Sequence, residues 1–190
     1  MKPPKRTGTR LPRAFYAQEP RRVARELIGA QLHRIFPDGR HAIGRIVETE
    51  AYLGPHDLAS HARHGRTART EVMFGPPGRA YLFLIYGMYW CLNVVTERAG
   101  LASAVLIRAV EPIAGIEGKT DGPGKLCRAM AIDRAFNGAD LRGPTLYLTS
   151  GPPPGRVAVT RRIGVDYARH WARRLLRYVE AGNPHVSRGR

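Results

Sequence analysis

Apolar residues fall into short blocks separated by glycine, proline and charged clusters, and the spacing inside each block predicts its element. Val23, Ala24, Leu27 and Ile28 make one stripe at helical spacing, with Pro20 suited to a first turn and Gly29 to a stop, so a helix is expected over Pro20–Ile28. Strand patterns follow over Gln31–Phe36 and Ala42–Leu53, joined by a Pro37-Asp38-Gly39 turn. Residues Gly54–Thr70 are polar and rich in His and Arg, a loop long enough to point to function. Tyr81–Ile85 and Met88–Val95 read as a hairpin of two buried strands around Tyr86-Gly87, and Ala102–Val110 as a further strand ended by Glu111-Pro112. A glycine-rich passage, Gly115 to Gly124, leads into a helix expected over Lys125–Ile132, and a last, heavily basic helix is expected over Asp166–Leu176. Gly151–Gly155 is a Pro-rich connection, and no internal repeat is visible.

The 190 residues suit one domain, and a hydrophobic share of 43% is enough to bury a core. Charge changes the picture more. Lys+Arg is 31 against 15 Asp+Glu, a formal net charge of +16, with only four of the cations lysines. An excess of that size repels itself in the folded state and calls for a polyanionic partner, nucleic acid first, with an anionic membrane or an acidic protein as alternatives. Some of the arginine bias can also reflect coding. Tyr81–Val95, the longest apolar stretch, is shorter than a membrane span and is interrupted by Gly87 and Asn93, and no apolar region follows the basic N-terminus as in a signal peptide. Cys91 and Cys127 lie in apolar surroundings without metal-site spacing and are expected to be buried thiols of a cytoplasmic protein. Residues 1–12 are expected to form a basic flexible arm, 13–187 the domain, and 188–190 a frayed tail.

Several residues stand out chemically. In Ile46–Tyr52 strand alternation puts Ile46, Glu48, Glu50 and Tyr52 on one face, with the two carboxylates about 7 Å apart. Such a pair can hold a water between acid and base, and mutual repulsion can lift one pKa. In an Arg-rich chain the plainer alternative is that both carboxylates pair with arginines. Arg108, inside the apolar run Ser103–Val110, must be paired or line a cleft; a carboxylate of the Glu48/Glu50 face is the obvious partner, and a purely structural ion pair is the alternative. Tyr86 and Met88 make an apolar hairpin tip, which suggests a wedge entering a base stack, or else a tip folded onto another element. His56, His61 and His64 look like ligands, but the flanking arginines repel a cation and argue against a metal site. Gly122-Pro123-Gly124-Lys125 can hold a phosphate without being a Walker loop, and Asp166 reads as a helix cap.

Taken together, Gly44–Pro55, Leu84–Asn93, Val105–Pro112, Gly122–Ile132 and Arg162–Val165 resemble, in order, the alkyladenine (3-methyladenine) DNA glycosylase family that lacks a helix-hairpin-helix, and the resemblance runs from about Arg13 to Ser187. It implies an α+β fold: a single mixed domain with a curved, mostly antiparallel sheet, flanking helices and a protruding, DNA-inserting β-hairpin. It also implies site roles. Glu50 looks like the general base that deprotonates the attacking water, Arg108 like a group that helps hold that water, and the Ile163 carbonyl like a third contact to it. Tyr52, His61 and Phe83 resemble the walls of the flipped-base pocket, Asn93 the side chain that rejects guanine through its exocyclic amine, Tyr86 the residue that fills the vacated stack, and Lys125 a phosphate clamp. Phe83 departs from the tyrosine of many members, and the stretch between Pro112 and Gly122 is shorter than in the longer ones, so DNA contacts there do not carry over.

The function so implied is a monofunctional glycosylase that flips 3-methyladenine, 7-methylguanine, hypoxanthine or ethenoadenine out of duplex DNA and hydrolyses the N-glycosidic bond. It needs no cofactor and no metal, acts as a monomer on double-stranded DNA containing damaged purines, and binds no membrane. Because the pocket segments contain no lysine, no strand cleavage is expected. Two alternatives remain at this stage: a non-enzymatic basic nucleic-acid-binding protein, which gives no reason for Glu48, Glu50 and Arg108 within strands, and a metal-dependent hydrolase using the three histidines.

Overall fold

The computed structural model describes residues 8–188; the first seven residues of the expected arm and the last two of the expected tail lie outside the described residues. Residues 9–11 bond to the sheet edge, Thr9 N–H to Ser150 Oγ at 3.0 Å and Leu11 N–H to the Leu148 carbonyl at 3.0 Å.

Two short helices open the chain: α1 (Arg13–Tyr16) and α2 (Pro20–Glu26). Glu19 caps α2 by accepting from the Arg21 and Arg22 N–H groups, and the predicted stripe Val23, Ala24, Leu27, Ile28 is buried. Strands β1 (Gln31–Ile35) and β2 (His41–Tyr52) form an antiparallel pair, and β3 (Ala80–Ile85) and β4 (Tyr89–Thr96) form the predicted hairpin. Then come β5 (Ser103–Ala114), α3 (Pro123–Ala129), β6 (Leu146–Thr149), β7 (Val157–Arg161) and β8 (Leu175–Glu180). The fold is α+β, with one curled antiparallel sheet ordered β3-β4-β5-β2-β1-β6.

Strand β2 controls the curl. One edge pairs with β5 along most of its length, while the other is divided between β1 (residues 41–45) and β8 (residues 48–50), which in turn carries β7. The β2–β5 register slips twice where this division occurs: Ile46 faces Val110, Glu48 faces Ala109 and Thr49 faces Ile107, so Val47 and Arg108 are each unmatched. Such irregularities bend a strand and redirect its side chains. The strict alternation expected from Ile46 onward therefore fails at this point; Ile46 joins the main core cluster, whereas Glu48, Glu50 and Tyr52 share hydrogen-bond partners on the other side of the register shift. A further shift lets β5 continue through Pro112, opposite Gly44, where the sequence suggested an end. Gly44 is needed there: a Cβ would approach Val110 Cγ2 to 2.7 Å.

The basic helix expected over Asp166–Leu176 does not form. Asp166–Arg173 is a run of 3₁₀ turns interrupted at Ala168 and Arg169, and the chain then enters β8. Val165, Ala168 and Trp171 are the buried positions. Their spacing of three is the 3₁₀ repeat, not the 3.6 of an α-helix. Pairing of β8 with β2 and β7 overrides whatever helical preference the arginines carry. Strands β6 and β7 were not legible beforehand, each being a short run beside a Pro- or Gly-rich connection.

Candidate active site

The face of β2 beyond the register shift carries Glu48, Glu50 and Tyr52, and the unmatched Arg108 of β5 meets it from the neighbouring strand. Glu50 has no exposed surface. Its Oε1 accepts the Ile163 N–H at 2.8 Å and lies 3.4 Å from Arg108 Nη1, and its Oε2 accepts the Tyr52 hydroxyl at 2.9 Å. Glu48 collects four donors: Arg108 Nε (2.8 Å), Arg177 Nε (2.6 Å), and the Ser187 N–H and hydroxyl (2.7 and 2.8 Å). Both carboxylates do pair with arginine, as the plainer reading had it, but unequally.

In front of this cluster opens a cavity of about 740 Å³, a size common for small-molecule sites. Tyr52, His61, Phe83, Tyr86, Asn93, Arg108, Lys125 and Ile163, all singled out in the sequence, line it. Glu50 does not; it sits directly behind its partners Tyr52, Arg108 and Ile163. One wall is aromatic, with His61 edge-on to Phe83 at 4.5 Å between centroids. Asn93 is buried, its amide donating to the Tyr81 and Cys91 carbonyls. Tyr86, 82% exposed, stands at the hairpin tip rather than folding onto another element. It and Gly87 both have positive φ (52° and 69°), the backbone of a turn that normally selects Asn-Gly. Gly124 allows α3 to pack against the hairpin beside its tip, since a Cβ there would come within 2.7 Å of Tyr89 Cβ, and Tyr89 pairs with Ile85 next to the turn.

A sequence model of the methylpurine-DNA glycosylase (MPG) family matches residues 14–184. The chain belongs to this family. Among curated relatives, a protein of Myxococcus xanthus is 53% identical over 183 residues, covering 94% of both chains, and one of Legionella pneumophila (strain Lens) is 52% identical over 182 residues, covering 94% of this chain and 98% of its own. An Anaeromyxobacter dehalogenans protein (strain 2CP-1) is 54% identical over 181 residues, 94% and 86% of the two chains. All three carry the provisional name 3-methyladenine DNA glycosylase. DNA is the substrate class of the family.

Electrostatics divide the site's titratable groups. Burial raises the Glu50 pKa above the ordinary carboxylate value, against the lowering effects of Arg108, the Ile163 N–H and the Tyr52 hydroxyl; repulsion by Glu48, the effect anticipated from spacing, is the smallest cause. Burial also pushes the Tyr52 hydroxyl well up, helped by Glu50. His61 is pushed down to about 4, by burial and then by Arg69, Arg63 and His64, so its ring is neutral at neutral pH. Its Nδ1 meets the Tyr81 hydroxyl at 3.0 Å and its Nε2 the Arg69 guanidinium at 3.3 Å. The other two histidines of the loop go elsewhere, His56 against the Trp171 ring and His64 onto Arg63 Nε. The two cysteines are free and buried, and burial drives the Cys91 thiol up to about 12.

Other placements were not foreseen. Ile163 also meets Glu50 directly, through its N–H. Lys125 does line the cavity, although no lysine was expected there, with Nζ 3.1 Å from Asp121. The fully buried Asp57–Arg162 pair (2.6 and 2.9 Å) supports the site from below: Arg162 also donates to the Ala51 carbonyl at 2.9 Å and lies 4.7 Å from the Tyr52 ring centre. Asp57, which the sequence did not single out, also accepts the Leu53 and Ala59 N–H groups. Arg177 and Ser187 reach Glu48 over 129 and 139 residues of chain, a separation that leaves no local signal.

Proposed function

We propose that this protein is a monofunctional DNA glycosylase that extrudes alkylated or deaminated purines from duplex DNA and hydrolyses the bond between C1′ and the base. The observation that carries the reading is Glu50, a buried carboxylate with raised proton affinity held immediately behind an aromatic cavity by Ile163, Tyr52 and Arg108. The water oxygen bonds to C1′ while Glu50 takes the water's proton. The C1′–N bond breaks and its electron pair leaves with the base. A cationic 3-methyladenine or 7-methylguanine departs neutral, whereas neutral hypoxanthine or ethenoadenine needs a proton from elsewhere. The negative Glu50 also stabilises the oxocarbenium-like transition state.

Tyr52 and the His61–Phe83 wall supply faces for stacking of the extruded base, with Asn93 set against guanine's exocyclic amine, Tyr86 filling the vacated stack and Lys125 holding a phosphate. With water activated by Glu50 as the nucleophile, the product is an abasic site without strand cleavage. The protein acts as a monomer, without metal or cofactor.

The test uses end-labelled duplexes carrying one hypoxanthine or one ethenoadenine, and randomly methylated DNA, all in chelator, with wild type beside Glu50→Gln. Base release by wild type alone, with strand breaks only after hot alkali, is expected. Breaks before alkali would replace the hydrolytic reading with a lyase. No release from any substrate, despite salt-sensitive DNA binding, would replace it with a non-enzymatic binding protein.

A further inference from the structure

The stretch 161–174 contains five arginines and one acid, Asp166. Arg162 is consumed by Asp57 inside the protein, but Arg161, Arg169, Arg173 and Arg174 are exposed and none is paired with a carboxylate among the described residues. Some exposed arginines elsewhere have such a partner, as in Arg22–Glu26 and Arg40–Asp38, and others, such as Arg25, Arg98 and Arg156, have none among the described residues; what sets 161–174 apart is its place beside the cavity. Here only Arg174 has a neighbour of note, the Trp171 ring, 5.1 Å from its guanidinium.

Arg169 also holds an unusual backbone. Its φ of 53° and ψ of −129° interrupt the 3₁₀ run. These values match the first central position of a type II′ turn, where glycine avoids the clash that a side chain creates. A strained non-glycine residue at the edge of a site points to a use for its side chain. The edge is close: Gly164, Val165 and Tyr167 line the cavity, as does Tyr86 of the hairpin, and Arg169 follows Tyr167 by two residues. Tyr167 is itself exposed, its hydroxyl 3.3 Å from the Ala59 carbonyl and its ring 5.2 Å from the Arg63 guanidinium.

We infer that the exposed arginines of residues 161–174, with Arg169 at the turn, form a docking surface for the phosphodiester backbone beside the extruded nucleotide, and that the strained turn is kept for the Arg169 contact. The inference rests on the reading that the cavity takes a flipped nucleotide. A strand delivering that nucleotide must pass the cavity rim, and cations without carboxylate partners are the groups free to neutralise its phosphates.

The strain makes the test discriminating. Arg169→Gly removes the charge and relieves the backbone; Arg169→Lys keeps both charge and strain. Binding of a fluorescent duplex is measured by anisotropy across a salt series, together with thermal unfolding. Arg169→Gly is expected to melt about 2–4 °C higher than wild type, and the slope of log K against log salt is expected to shrink by about 0.9. Arg169→Lys should keep the wild-type slope and melting temperature. A wild-type slope in Arg169→Gly overturns the surface, as does an equal loss of slope in Arg169→Lys, and an unchanged or lower melting temperature in Arg169→Gly overturns the strain. Failure of the glycosylase reading is separately visible, as absence of base release by wild type in the assay above.

Discussion

Glu48 and Glu50 stand two residues apart on one face of β2 and meet opposite surroundings. Glu48 is saturated by Arg108, Arg177 and Ser187, whereas Glu50 receives one backbone N–H, one hydroxyl and a longer 3.4 Å approach from Arg108. Arg108 thus makes its shorter bond to Glu48, while burial raises the proton affinity of Glu50. Two like groups are set in different surroundings by their neighbours alone.

Substitution should expose that division. Glu50→Gln is expected to lower single-turnover excision by about 10²–10⁴-fold, the usual worth of a general base, while damaged-duplex affinity changes little. Glu48→Gln removes the charge opposing Arg108 and Arg177 in a buried site and should cost about 3 kcal/mol in a denaturant titration. Loss of binding in step with excision in Glu50→Gln would make Glu50 structural.

The pH dependence follows from the directions of the shifts. Because the folded pKa of Glu50 is raised and the base form is active, excision should rise with pH through a midpoint above the ordinary carboxylate range. The same shift has the opposite sign for stability: the contribution of Glu50 is full below its unfolded pKa and is lost as pH rises through the folded one. His61, pushed down to about 4, contributes stability that is present above its unfolded pKa and is lost as pH falls toward that value. Single-turnover rates and melting temperatures over one pH series read both, and a flat rate profile in the acid range would remove Glu50 as the base.

The hairpin tip offers a second separation of stability from activity. Tyr86→Asn suits the positive φ of the turn better than tyrosine, so the variant should melt no lower than wild type. Excision from duplex should nevertheless fall about tenfold, with a smaller loss on single strands, because flipping a duplex base costs a few kcal/mol that a wedge offsets. Equal losses on both substrates would leave Tyr86 without a wedging role.

Asp57→Ala strands Arg162, whose guanidinium is wholly buried and whose Nε already lacks a partner. A destabilisation of about 3–5 kcal/mol is expected. Excision per folded molecule should fall too, since Arg162 precedes Ile163 and faces the Tyr52 ring. Unchanged unfolding would show that the pair contributes nothing net.

Much of the site was readable because its residues sit in short segments with local pattern. The β2 alternation places Glu50 and Tyr52 together, the apolar surroundings make Arg108 conspicuous, and an aromatic at a hairpin tip is out of keeping with turn chemistry. Charge pointed to a polyanion, nucleic acid first, and the family resemblance narrowed it to DNA. What local pattern missed has one cause: nonlocal pairing. The 166–176 segment carries a plausible helix composition, but its tail completes the sheet beside β2, and edge pairing with β2 and β7 prevails over propensity.

The sequence by itself determined the α+β class, the central strands, the polyanion-seeking charge and the identities of the groups that line the cavity. Tertiary structure alone decided which glutamate collects four donors, that the Ile163 N–H meets the other, and that Asp57, Arg177 and Ser187 belong to the support. Those choices depend on burial and on donors arriving from more than a hundred residues away. A carboxylate's proton affinity is set by the sum of such neighbours, and a one-dimensional pattern contains the residues but not their distances.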